Sequence, residues 1–148
     1  MIIRVTAPKI STDKPPHWAT LEERLGLQWG PGVIVTYGDT IYSPDHPLPE
    51  DLHMHEFVHV QQQCTFPGGP DAFVQKYLED DDFRYRMELD AYRTQWIYAK
   101  HYLVTDRKTR KEYLERLVDR FVLDYGIGEI LYAQKKPREE IRRDILDS

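Results

Sequence analysis

The sequence predicts an α+β fold, mostly helical, with a small antiparallel sheet next to a helix that carries two closely spaced histidines. Three observations lead there. Apolar residues recur at three- and four-residue steps through much of the second half, as in Leu114, Leu117, Val118, Phe121 and Val122. β-Branched and aromatic residues gather at 33–37 and 40–42, on either side of a Gly38-Asp39 turn pair, which reads as a hairpin. The chain has 148 residues, 41% of them apolar and 30% charged, which suits a single globular domain over 1–148 with a well-solvated surface.

In chain order, residues 2–5 read as a short strand, and the polar stretch through Pro15 and Pro16 reads as loop. Thr20 with Glu23 fits a capping box, and Gly26 fits a left-handed C-terminal residue, framing a short helix over 21–25. The Gly30-Pro31-Gly32 turn leads into the hairpin. Pro44, Pro47 and Pro49 then keep the chain extended up to Glu50 and Asp51, whose charges suit the first turn of a helix over 50–64. Pro67-Gly68-Gly69-Pro70 stops that helix. A second helix after Pro70-Asp71 places Phe73, Val74, Tyr77 and Leu78 on one face, and a longer one spans 83–103. The amphipathic helix after Thr105 is broken by Gly126 and Gly128, and a charged terminal helix from Pro137 has Ile141, Ile145 and Leu146 to bury.

Composition narrows the functional classes. A net charge of −5 and a pI of about 5.7 leave no surplus of cationic side chains for a phosphate backbone, so nucleic acid is not an expected partner. Basic residues do gather at 107–120, but Glu112, Glu115 and Asp119 interrupt them, as on a solvated helix face. No apolar run of signal-peptide or membrane-spanning length occurs, so a cytoplasmic protein with no membrane partner is expected. Cys64 is the single cysteine. It can form no internal disulfide, and any metal must be held by histidine and carboxylate.

His55-Glu56-Phe57-Val58-His59 is an H-E-x-x-H sequence. On a helix, histidines four residues apart lie one turn above each other on one face, so both imidazoles can reach one ion. Zinc accepts imidazole readily and in catalytic sites keeps three protein ligands and an exchangeable position. Glu56 lies about 100° round the helix from His55, placed to act on a water as general base without ligating. Met54, Phe57, Val58 and Cys64 fall broadly opposite the histidines and are expected to pack into the core. The bland alternative is a pair of packing histidines beside a surface glutamate.

A third ligand is sought on the 83–103 helix. Glu88 shares a face with Ala91, Tyr92, Gln95, Ala99 and Tyr102, a small and aromatic stripe suited to meeting a neighbouring helix. Asp90 points about 200° away, towards Arg86 and Arg93. Glu88 is therefore the better ligand, with Asp90 or His53 as the alternatives. His17 and His46 lie in proline-rich loops and His101 near a helix end, positions that suit surface or packing roles.

The segment from His55 to Gln62, with Glu88-Leu89-Asp90-Ala91-Tyr92 downstream, resembles the zincin metallopeptidases of the gluzincin type. It is most similar to small zincin-like domains of phages and bacterial injection systems. The resemblance implies one zinc per chain at His55, His59 and Glu88, with Glu56 as the catalytic base, and a peptide or protein substrate held along a strand edge, here the hairpin. Metzincins are excluded, because Gln62 and Thr65 stand where they need glycine and histidine. Tyr92 stands where some gluzincin families place an aspartate, so the group supporting the histidines is left open. Tyr37, Tyr42, Tyr85 and Tyr92 are candidate donors to an oxyanion. Two other readings stay in play: a zinc-stapled assembly module without catalysis, and a zinc hydrolase acting on a non-peptide amide.

Overall fold

The computed structural model of the chain describes residues 7–45, 47–123 and 138–147. In order they form β1 (Lys9–Ser11), α1 (Trp18–Leu25), β2 (Val35–Tyr37), β3 (Thr40–Tyr42), α2 (Glu50–Thr65), α3 (Gly69–Glu79), α4 (Asp81–Tyr102), α5 (Arg107–Leu123) and α6 (Arg138–Leu146). The fold is thus mostly helical α+β. No helix among the described residues is long and apolar enough to cross a membrane.

The hairpin forms where the residues predict it. β2 and β3 pair antiparallel with Thr36 opposite Ile41, and Gly38 takes φ 62° at the first central turn position, a conformation that glycine adopts without steric cost. The sheet differs from expectation in its third strand. β1 lies parallel to β3, with Ile10 beside Ile41, so the strand order is β1-β3-β2 and the sheet is mixed. Lys-Ile-Ser carries almost no strand signal of its own. Its pairing is set from outside, by hydrogen bonds from Lys9 N–H to Asp39 O (2.8 Å) and from Ser43 N–H to Ser11 O (2.9 Å). The strand expected at 2–5 and the break expected at Gly126 and Gly128 lie outside the described residues.

Helix α1 starts earlier than its capping signal. His17, at φ 61°, is the N-cap, and Thr20 and Glu23 are exposed inside the helix, so no capping box forms. The C-terminus is as expected: Gly26 at φ 69° donates its N–H to Glu22 O.

Helix α2 runs between two layers. Towards the sheet, Val60 packs with Ile34 and Ile41. Towards α4 it presents His55, His59 and their neighbours, and its buried residues are His55, Glu56, His59, Val60 and Gln63. This reverses one expectation, since Cys64 is exposed and Met54, Phe57 and Val58 are only partly buried. The inward side of α2 is the polar side, because the sheet and α4 both close over it and only the reverse face is left to solvent.

Helix α4 has two working faces. Glu88, Ala91 and Gln95 are buried as expected, whereas Tyr102, beyond the covering helix, is 73% exposed. Its Tyr85, Leu89, Tyr92, Trp96 and Ala99 form the main core with Leu114, Leu117, Val118 and Phe121 of α5 and Ile141 and Ile145 of α6. Leu146, also expected to be buried, is exposed instead. Asp80 caps α4 by accepting from Phe83 N–H at 3.0 Å, with Asp81 and Asp82 in the first turn.

Helix α6 is also tied to α5 by charge. Arg142 donates Nε and Nη2 to the two oxygens of Glu115, at 2.7 and 2.9 Å, and Arg138 adds a bond to Oε2 at 3.1 Å. Hydrogen bonding from Arg142 leads the effects that hold the Glu115 carboxyl down, against burial, from its ordinary 4.5 to about 2. A carboxylate whose pKa falls on folding stabilises the fold above its unfolded pKa and loses that contribution as pH drops through the folded one. Because Glu115 is 35% exposed, screening limits the pair to about 1 kcal/mol. Glu115→Gln should therefore lower urea stability by up to about 1 kcal/mol at pH 7, and the gap should close as pH falls from 4.5 towards 2. Equal stability at pH 7 would show that the pair contributes nothing.

Candidate metal centre

The 16-residue α2 places His55 and His59 one turn apart, with ring centroids 5.0 Å from each other. Glu88 enters from α4. Its Oε2 lies 3.4 Å from His55 Nε2 and 3.3 Å from His59 Nε2, and all three side chains are at most 9% exposed. This buried group could hold a metal ion. Asp90 is exposed on the far side of α4, and His53 is not part of the group. His17 meets Asp71, His101 is exposed beside Tyr102, and His46 lies outside the described residues.

Hydrogen bonds around the group decide which atoms face inward. Gln62 donates Nε2 to the carbonyl of Met87 at 3.0 Å, so its Oε1 is the atom that meets His59 Nδ1 at 2.9 Å. Gln95 donates Nε2 to the acceptor-only carboxylate of Asp51 at 3.2 Å, so its Oε1 meets His55 Nδ1 at 3.0 Å. Each amide oxygen requires a proton on Nδ1. In the neutral ring both Nε2 lone pairs then point at Glu88. Tyr77 donates its hydroxyl to Glu88 Oε1 at 2.6 Å, whereas the buried Oε2 accepts no hydrogen bond. Two lone pairs and a carboxylate oxygen thus converge on a point that needs positive charge.

In the absence of an ion a proton meets that need. Burial works to lower the His59 pKa, but the charge of Glu88 prevails and raises it to about 9. Burial likewise pushes Glu88 up, and the charge of His59 overrides it to hold the carboxyl well below the usual carboxylate range. The two residues share one electrostatic demand, which a cation would satisfy without the proton.

Glu56 is buried on the adjacent face of α2 and takes no part in the three-residue group. Thr36 of β2 donates Oγ1 to Glu56 Oε2 at 2.6 Å. Since Tyr37 and Thr40 close the two-residue turn, the main-chain groups of Thr36 point away from β3. There the Gln63 carboxamide donates to Thr36 O at 2.9 Å and accepts from the Gly38 N–H at 2.6 Å. Glu56, His59 and Glu88 line one cavity together.

Of the candidate tyrosines, Tyr37 lines the same cavity and Tyr92 adjoins a histidine of the group. Tyr37 gives its hydroxyl to Asp71 and Tyr85 to Asp144, Tyr42 pairs with Val35 in the sheet, and Tyr92 sets its ring against His55 at 4.5 Å. The sequence reading missed the supporting set: Thr36, Gln62, Gln63, Tyr77 and Gln95. Gln62, three residues after His59, and Gln95, seven after Glu88, carry a helical-phase signal; Thr36 and Tyr77 carry none, because they arrive from other elements.

Set against known proteins, the chain matches no protein-family model, and no curated protein or solved structure is significantly similar to it. A functional reading therefore rests on the chain's own geometry. His59→Ala and Glu88→Ala should abolish stoichiometric metal in elemental analysis of the zinc-incubated protein. Gln62→Leu and Gln95→Leu should weaken binding by roughly 10–100-fold in competition with a chelator. Undiminished affinity in both leucine variants would mean that the amides do not orient the imidazoles.

Proposed function

We propose that the chain is a zinc-dependent hydrolase of the zincin type that cleaves a peptide bond, with His55, His59 and Glu88 holding one zinc and Glu56 as general base. The observation that carries this reading is the convergence of two imidazole Nε2 atoms on an otherwise unbonded buried carboxylate oxygen, with a second carboxylate, Glu56, held beside them and left free of ligation. Ligands 2.0–2.1 Å from a tetrahedral zinc stand about 3.3–3.4 Å apart, and the two His–Glu distances are 3.4 and 3.3 Å. Three protein ligands leave a fourth position open, as catalytic zinc requires.

Zinc bound there supplies Lewis acidity towards a carbonyl and a water. Glu56 takes the proton of the attacking water and delivers it to the departing amine. The Thr36 hydroxyl fixes the carboxylate that moves this proton, and Tyr77 keeps Glu88 to a single inward oxygen. A peptide is favoured over another amide because β2 is an edge strand of the sheet beside α2, where an extended chain can pair. Gln63 already takes Thr36 O and Gly38 N–H, so on this edge a substrate carbonyl would meet the Thr36 N–H, which the same alternation turns outward.

The deep burial of the ligands and their bridging of α2 to α4 would also suit a structural ion. Turnover separates the two readings. Glu56→Gln should keep one zinc and lose at least about 100-fold in kcat on any peptide that the parent cleaves. Thr36→Val should cost roughly 10–100-fold, the worth of one hydrogen bond to a charged group, and Thr36→Ser should restore most of it. A parent that cleaves nothing from a peptide library yet unfolds when zinc is removed would establish the structural ion instead.

A further inference from the structure

The cavity that contains Glu56, His59 and Glu88 extends away from them as an apolar chamber. Its walls are Leu21 and Leu25 of α1, Leu27 beyond it, Val35 of β2, and Phe73 and Val74 of α3. No Lys or Arg lines it. Helix α1 is latched over it at both ends, by His17 Nε2 to Asp71 Oδ1 at 3.0 Å and by Arg24 Nη2 donating to Leu78 O at 3.2 Å. These bonds join α1 to the start and the end of α3, the opposite wall.

We infer that this chamber is a specificity pocket that receives an aliphatic side chain of the substrate, at the residue next to the scissile bond. The inference rests on the hydrolase reading and gives it a substrate class. An apolar pocket with a few polar groups at one end is the usual form of a ligand site, the polar end here being the reacting centre. Size narrows the occupant. A volume of about 60 Å³ is four to six times the roughly 10–15 Å³ that one water needs, room for a group of about four to six heavy atoms and not for an indole. Charge narrows it further, since the tip of an acidic or a basic side chain would end among the apolar walls, away from any group of opposite charge.

The zinc-loaded chain can be titrated with a series of N-acyl amino-acid hydroxamates bearing methyl, isobutyl or indolylmethyl side chains, with binding followed by calorimetry. Each buried methylene is worth roughly fourfold in affinity, so the isobutyl compound should bind roughly 50-fold more tightly than the methyl one. The indolylmethyl compound should gain nothing. Val74→Phe, which fills the chamber, should remove the isobutyl advantage and leave the methyl compound unchanged. Leu25→Ala, which widens it from the other wall, should shift the preference towards the indolylmethyl compound. If the methyl hydroxamate binds and the isobutyl one gains less than threefold, the pocket assignment falls and the zinc-hydrolase reading stands. If no hydroxamate binds, the zinc reading falls and the pocket assignment falls with it.

Discussion

The buried carboxylate of Glu88 is the constraint around which the helices are arranged. A charge taken out of water costs several kcal/mol unless opposite charge and hydrogen bonds replace its hydration. Glu88 is 2% exposed, and what replaces water around it comes from two other helices: His55 and His59 from α2 and the Tyr77 hydroxyl from α3. The contact between α2 and α4 is therefore electrostatic at its centre, whereas most helix contacts in small proteins are apolar. This explains why α2 turns its polar side inward and leaves Met54, Phe57 and Val58 half-covered.

Rigidity reaches this polar centre from the aromatic core behind it. Tyr92 stands between the two, with its ring 4.5 Å from that of His55 and 4.9 Å from that of Phe121. Gln95 is fixed by Asp51 and by Tyr113, which itself donates to Asp51 at 2.7 Å. The His55 ring is thereby held through α4 and α5, each packed into the main core. A site held this way keeps its geometry without depending on loops.

The His55, His59 and Glu88 group and the neighbouring Glu56 are supported from opposite sides of α2. The helical half of the molecule orients His55, His59 and Glu88, and the sheet half orients Glu56 through Thr36. Gln63 ties the same strand to α2 through two further bonds, so the hairpin cannot move without Glu56 losing its partner. Helix α1, held to α3 by exposed polar bonds, closes the same cavity from a further side.

Local pattern was enough to read much of this. Period and punctuation located the hairpin and all the helices among the described residues, because 3.6-residue apolar steps, Gly26, the Pro67–Pro70 cluster and the acidic start of α2 are properties of neighbouring residues. His55, Glu56 and His59 were legible because a helix converts a spacing of one or four residues into a direction, and Glu88 was separated from Asp90 by the same phase argument. The tertiary structure alone decided the rest. β1 exists because β3 is there to pair with it, Cys64 is exposed because nothing covers that face, and Thr36 and Tyr77 reach the site from 20 and 11 residues away in sequence from Glu56 and Glu88. Sequence determines what a residue can do and which way a helix turns it; which partner meets it depends on long-range packing, and no local periodicity encodes that.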